Sequence, residues 1–479
     1  MPDIDLPTDH QPSELTETTY DVIVVGAGST GENVADYAVR GGCSVLLLES
    51  ELVGGECSYW ACMPSKALLR PLEALAEARA VGGAREAVTG KVDATAVFAR
   101  RDSFTSHWKD NHQVDWVNST GIAFARGRGR LTGVKTVQIG GITFTARHAV
   151  VLCTGSSAAI PPVEGLADAN PWTAREATSS HTVPARLAIV GGGVIGVEMA
   201  FAYQGLGAQV TVCEHSDRVL MTQEPEVGKR VTQALRDKGV DVRTGVSVDK
   251  VSRDDGVVTV TLSDGATVAA DEVLVAAGRR PGTHDLGLET VGLEPGSWLT
   301  VDDTMLVEGT DWLYAAGDLN HRALLTHMGK YQARVAGTVI ADRAHGRTVE
   351  GDWTRHSAIA DHQVVPQVIF CEPPVSSVGL TEAAARQAGL DVRTVSYEIG
   401  STAGGSLFVD DNRGWAQLVV SGDHLVGATF FGAGVTEMVH AATVAIVGQV
   451  PLQRLWHAVP SYPTMTEVWL RLLDQLPHG

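Results

Sequence analysis

Basic residues are scarce in this chain of 479: Lys and Arg number 37 against 56 Asp and Glu, a formal net charge of −19. That balance excludes a nonspecific nucleic-acid or anionic-membrane binder, which needs a basic surface. Aromatic residues make up only 6%, and six cysteines are too few for a disulfide scaffold of this length. No apolar run approaches the length of a membrane-spanning helix. The opening MPDIDLPTDHQPSELTETT lacks the basic and apolar regions of a signal peptide. Residues 1–18 are therefore expected to be a disordered tail, and the protein to be soluble and cytoplasmic.

Glycine is plentiful, at 52 residues, in a composition that is 44% hydrophobic and 19% charged. A large core is possible, and so much glycine points to tight turns and close backbone contact with ligands. At about 150 residues per domain, the length predicts roughly three domains.

An internal repeat organises the chain. The β-branched run Tyr20–Val25 leads into Gly26-Ala-Gly28-Ser-Thr-Gly31, a helical stretch, and the strand Ser44–Leu48 ending in Glu49. Leu187–Val190 leads into Gly191-Gly-Gly193-Val-Ile-Gly196, a helix, and Gln209–Cys213 ending in Glu214. The offset is 165 residues at every landmark. A lone GxGxxG is weak, but each copy follows a strand, opens a helix and has an acid 23 residues after its first Gly. The first Gly makes the turn, the second admits a pyrophosphate, and the third lets helix and strand pack. Phosphates then sit at a helix N-terminus, where free N–H groups and the dipole favour negative charge. Two such sites predict two cofactors, one donating electrons to the other.

Between the copies lies Gly54-Gly55-Glu56-Cys57-Ser-Tyr59-Trp60-Ala-Cys62-Met-Pro64-Ser-Lys66, followed by a helical run. Pro64 suits a helix start. Cys62 is thus expected near a helix N-terminus with Lys66 one turn on, and both features favour a thiolate. Two Cys five apart can close a disulfide if the loop turns back; zinc binding is the alternative, but no second pair accompanies them. No metal site is expected. The other cysteines read as small buried hydrophobes.

Gly-Gly-x-Cys-x4-Cys-x-Pro-Ser-Lys is a specific pattern, and the chain from about residue 19 onward resembles the FAD-dependent pyridine-nucleotide–disulfide oxidoreductases. These include dihydrolipoamide dehydrogenase, glutathione and mycothiol-disulfide reductases, and mercuric reductase. The resemblance implies an α/β fold with two Rossmann-like nucleotide-binding domains, for FAD and NAD(H), and a C-terminal α+β dimerisation domain that makes a homodimer. It implies Cys62 as the flavin-proximal thiol, Cys57 as the interchange thiol, and Lys66 beside the flavin, paired with Glu198. Val151–Gly155 looks like the crossover out of the FAD domain, Ala276–Pro281 with Gly278 like the return, and Leu313–Asp318 like the second FAD motif, Asp318 lying towards the ribityl chain. The cofactor-binding set is then Gly26, Gly28, Gly31, Glu49, Gly55, Lys66, Gly155 and Asp318 for FAD, with Gly191, Gly193, Gly196, Glu214 and Gly278 for the nicotinamide half. The domain boundaries it implies are 19–156 with 279–352 for FAD, 157–278 for NAD(P), and 357–479 for the interface domain.

Glu49 and Glu214 end equivalent strands. A carboxylate there accepts from a ribose 2′-OH and repels a 2′-phosphate. Like charges at contact cost about 1 kcal/mol in water and several times more when partly buried, which favours NADH over NADPH. Arg218 and His215 follow closely, and both a solvated and a phosphate-binding Arg218 stay open.

Two departures from the family pattern stand out. Its His-Pro-Thr-x-Ser-Glu reads Tyr462-Pro-Thr-Met-Thr-Glu467 here. The His would supply a base to the partner subunit's disulfide, held by the Glu. A tyrosine phenol, titrating near 10, is a poor base at neutral pH, and His457 reads as a structural or surface histidine. In the cysteine loop, Tyr59 and Trp60 replace small or amide residues and should narrow access to the disulfide. No C-terminal Cys pair precedes Leu476-Pro-His-Gly479, which weakens mercury detoxification.

The expected function is an NADH-dependent FAD disulfide oxidoreductase passing electrons to Cys57–Cys62 and on to a small-molecule acceptor: a disulfide, quinone or metal ion. The alternatives are a diaphorase-like quinone or metal-ion reductase, a dihydrolipoamide dehydrogenase, and a non-catalytic redox-sensing flavoprotein.

Overall fold

The computed structural model describes residues 4 and 6–476; residues 1–3, 5 and 477–479 of the two ends lie outside the described residues. The chain divides into two compact units, each built from three chain segments.

The first unit comprises residues up to Pro64, Asp102–Ala159 and Gly278–His362. At its centre lies the strand Thr19–Val25, hydrogen-bonded in parallel to Val45–Glu49 on one side and Ile142–Leu152 on the other. Ala123–Arg126 extends the sheet beyond the second strand, and Leu313–Ala315 returns, parallel, beside Ile142–Leu152. Alternation of side chains divides the central strand between two cores. Val22 and Val24 pack with Val34, Leu47, Val151, Ala336 and Ile340. Ile23 and Val25 pack with Leu46, Leu48, Phe144 and Leu313. The first core is covered by helices Ser29–Arg40 and Thr326–Ala344, which lie against each other. Near-continuous apolar strands are what a sheet buried on both faces requires.

The segment before Thr19 differs from the expected disordered tail over its described part. Pro12–Glu14 forms a 3-10 turn, His10 O accepts from Arg126 N at 2.9 Å, and Asp9 Oδ1 pairs with Arg126 Nε at 2.5 Å. The cause is Arg126, a buried guanidinium that also holds Asp110 through bonds of 2.9 and 3.0 Å. A charge out of water needs carboxylate partners, and Asp9 supplies the second.

The second unit comprises Ser65–Arg101, Ile160–Ala277 and the segment from Gln363. Its four-stranded parallel sheet runs Asp241–Thr244, Gln209–Glu214, Arg186–Val190, Glu272–Val275. A three-stranded antiparallel sheet is formed by Val248–Asp254, Val257–Leu262 and Thr267–Ala270. The C-terminal part folds as a five-stranded antiparallel sheet with Val375–Gly379, His424–Phe431 and Trp415–Ser421 at its centre. The fold is thus α/β with two Rossmann-like sheets and a C-terminal α+β region. Among the described residues no helix is long and apolar enough to cross a membrane.

Candidate active site

The first glycine turn is held by contact rather than by propensity alone. Gly26 has φ +100°, and a Cβ there would lie 2.5 Å from Cys153 O; at Gly31 it would lie 1.8 Å from Gly26 O. At Gly28, which caps helix Ser29–Arg40, a Cβ would meet only Gly55 Cα at 3.9 Å. The end of a 12-residue helix is thereby left backbone-lined and open, as a pyrophosphate requires. Glu49 accepts from Ala27 N at 2.7 Å and Glu51 N at 2.8 Å. Burial nonetheless pushes its carboxyl above the usual range, with the backbone donors opposing. Gly155 is open on its Cβ side at φ +66°, as is Gly278 at φ +141°.

The redox loop begins with the short helix Gly55–Tyr59, which carries Cys57; Cys62 opens the helix Cys62–Arg79. No disulfide links Cys57 and Cys62 in this structure. Cys62 Sγ lies 3.1 Å from Thr326 Oγ1, at the start of helix Thr326–Ala344. The Cys57 thiol is pushed up by its hydrogen bond with Cys62 and by burial. Thr326 was not singled out in the sequence; nothing local marks a helix-opening Thr as the neighbour of a thiol 264 positions away.

Tyr59 and Trp60 do not narrow the approach to the disulfide. They are 1% and 3% exposed and pack with Leu52 and Trp108. Tyr59 OH donates to Val53 O at 3.1 Å, and Trp108 Nε1 donates to Tyr59 O at 3.1 Å. Large apolar rings gain more from this core than from lining a wet channel.

Asp318, after the strand Leu313–Ala315, accepts from Ser156 Oγ. Arg279 donates to the same Ser156 Oγ and to Ser156 O, each at 2.6 Å, and reaches Glu56 Oε2 at 2.6 Å. Arg279 and Glu56 carry no local signal for this contact, since they lie 223 residues apart in the chain.

In the second unit, Lys66 Nζ and Glu198 Oε2 are 2.7 Å apart. Glu198 is buried, its other oxygen accepts from Phe370 N at 3.1 Å, and Lys66 sits 4.9 Å from the centre of the Phe370 ring. The second glycine turn repeats the first. Gly191 has φ +107°, a Cβ at Gly196 would lie 2.0 Å from Gly191 O, and one at Gly193 would meet nothing within 4 Å. Glu214 accepts from Gly192 N at 2.6 Å and Ser216 N at 2.7 Å, with His215 Nδ1 3.0 Å away. Arg218 is not a solvated residue: its side chain is 18% exposed, pairs with Asp217 at 3.2 Å and lies against Gly228.

The C-terminal residues are not brought together. The Tyr462 side chain is 76% exposed. Glu467 is buried, and its Oε2 accepts from Gly404 N at 3.1 Å. His457 is exposed, its ring against Trp456.

The pyridine nucleotide-disulphide oxidoreductase profile matches residues 20–336, and the dimerisation domain of the same family matches 365–472. The chain belongs to that family. Members are NAD(P)H-dependent FAD disulfide oxidoreductases, and this chain is one such enzyme. The open glycine faces at residues 28, 155 and 193 fit FAD and a pyridine nucleotide, and the dimerisation domain supports a homodimer. The chain is 28% identical over 470 residues to a mercuric reductase of Staphylococcus aureus, covering 95% of this chain and 83% of that protein. It is 30% identical over 478 residues to a dihydrolipoyl dehydrogenase of Synechocystis, covering 94% and 97%. In fold it resembles the HOCl-induced flavoprotein disulfide reductase RclA of Escherichia coli, with TM-score 0.81, 23% identity, and coverage of 96% and 100%. Relatives of different activity match at like identity, so the family is fixed and the acceptor is not.

Proposed function

We propose that this oxidoreductase takes electrons from NADH and delivers them to the Cys57–Cys62 pair, which reduces a small-molecule acceptor. The arrangement of the pair carries the reading: Cys62 Sγ, at the start of the helix Cys62–Arg79, lies 3.1 Å from the Thr326 hydroxyl, and Cys57 shares a hydrogen bond with it from the short helix Gly55–Tyr59. In our reading Cys62, at a helix N-terminus, is the sulfur that holds negative charge, and Cys57 the one that reaches the acceptor. Bound FAD supplies the two-electron relay between nicotinamide and dithiol. Glu49, Asp318, Gly26, Gly28, Gly31, Gly55 and Gly155 hold that group in our reading. Gly191, Gly193, Gly196, Gly278 and Glu214 hold the nicotinamide nucleotide, and Glu214 selects NADH by refusing a 2′-phosphate. Lys66, fixed by Glu198, orients its ammonium towards the flavin. The FAD domain is read as 19–156 with 279–352, the NAD domain as 157–278 and the interface domain as 357–479.

A second reading replaces the disulfide acceptor with a quinone or metal ion. It is favoured by the C-terminal segment, where Tyr462 stands in place of a histidine base and Glu467 accepts from Gly404 N. A metal ion takes electrons with no proton, and a quinone can take its protons from solvent, so neither needs the positioned base that thiol–disulfide exchange uses. Anaerobic titration with NADH is expected to raise a long-wavelength absorption band that Cys62→Ser abolishes; a band persisting in that variant sinks the dithiol assignment. A steady-state screen of disulfides, quinones and metal ions, repeated on Tyr462→His, then separates the two acceptor classes.

A further inference from the structure

We propose that Glu56 is a positioning residue that sets the disulfide–dithiol equilibrium of the Cys57–Cys62 pair; this rests on the reading of that pair as redox-active. Glu56 directly precedes Cys57 and is gripped at both ends. Its carbonyl accepts from Trp60 N at 2.8 Å and Ala61 N at 2.6 Å, which closes the loop between the two cysteines. Its carboxylate accepts from Arg279 at 2.6 Å. Arg279 is itself immobilised, by Ser156 O and Oγ at 2.6 Å each and by the pairing of Arg279–Pro281 with Ser156–Ala158. Behind Glu56 the backbone runs close against the first glycine turn, where a Cβ at Gly55 would lie 2.8 Å from Gly28 Cα. One residue thus ties the cysteine loop to a rigid two-stranded strut.

Closing a disulfide from two thiols depends on how often the sulfurs meet, and a loop held at one end meets more often than a free one. Loosening Glu56 shifts the pair towards the dithiol. The tie is charge-assisted but partly exposed, so its contribution is modest.

The test equilibrates the full-length, FAD-loaded protein with mixtures of reduced and oxidised dithiothreitol, then counts free Cys57 and Cys62 after acid quench, alkylation and mass spectrometry. In the exchange the Cys57–Cys62 bond breaks, dithiothreitol closes its own ring disulfide, and two electrons and two protons pass to the protein sulfurs. Glu56→Gln keeps the shape and removes the charge; it should lower the constant for disulfide formation about fivefold. Arg279→Gln should do the same, and the double variant should add nothing. A constant within about 1.5-fold of the unaltered protein, or an additive double variant, overturns the proposal. FAD content and melting temperature are read alongside, since a merely structural role moves those and leaves the constant alone. If Glu56→Gln does not fold, Glu56→Asp carries the test, with a smaller shift of the same sign. An unaltered protein that never forms the Cys57–Cys62 disulfide overturns the redox reading of the pair itself, which keeps the two failures apart.

Discussion

Gly26 and Gly191 turn at φ +100° and +107°; Gly31 and Gly196 leave a Cβ 1.8 and 2.0 Å from the same backbone oxygen of their own turn. Glu49 and Glu214 each take one backbone N–H from the turn and one from two residues on, at 2.6 to 2.8 Å. The copies part company beyond these shared positions. The residue after the third glycine is Glu32 in the first and Val197 in the second, and after the acid come Leu52–Gly55 and the cysteines in one, His215–Arg218 in the other. The turn geometry is therefore common to both copies, and the segments attached to it are what set them apart.

The third glycine carries the largest expected effect. Gly31→Ala and Gly196→Ala each drive a methyl into a carbonyl that cannot move without opening the strand–helix junction. Each should cost about 3 kcal/mol or more, read as a fall in melting temperature. Gly31→Ala should also lose FAD from the purified protein, and Gly196→Ala should weaken NADH binding while FAD stays. A methyl accepted at either site within about 1 kcal/mol would show that close packing is not what the two turns share.

The two acids sharpen it next. Glu214→Ala should reduce the NADH-over-NADPH ratio of kcat/KM about tenfold, from removal of a partly buried like charge facing the 2′-phosphate. Glu49→Ala should leave that ratio alone and shorten FAD retention. An unchanged ratio in Glu214→Ala would move selectivity to Arg218, whose packed stem already places it near the same strand end.

What the sequence made legible was local or repeated. The turns, the strands Thr19–Val25 and Arg186–Val190, and the cysteine spacing all carry their signal within about 25 residues, where periodicity and glycine chemistry operate. Thr326 against Cys62 and Arg279 against Glu56 join positions 264 and 223 residues apart, and only the folded sheet decides which return segment meets the loop. Tyr59 and Trp60 were misplaced for a different reason. Gly55–Tyr59 is a single helical turn, too short for any pattern to say which face is buried. The ordering of Asp9 depended on Arg126 being buried, and a charged residue in sequence gives no hint of that.

The smallest effect separates the copies at the position where they differ in charge. Glu32 stands in the first turn of its helix, where burial lifts its carboxyl to about 7, opposed by Lys330. Val197 has nothing to titrate. A carboxyl whose folded value lies above its unfolded one binds its proton more tightly in the native state. Its contribution to stability is complete below about 4.5 and is lost as pH rises through about 7. FAD-free protein should therefore lose stability between about pH 4.5 and 7 by about 1 kcal/mol, a figure discounted for the partial exposure of the side chain. Glu32→Gln, which mimics the protonated form, should flatten that part of the melting-temperature profile, and Val197→Ala should leave its slope unchanged. A profile equally steep in Glu32→Gln would assign the pH dependence to another group and leave the two turns electrostatically alike.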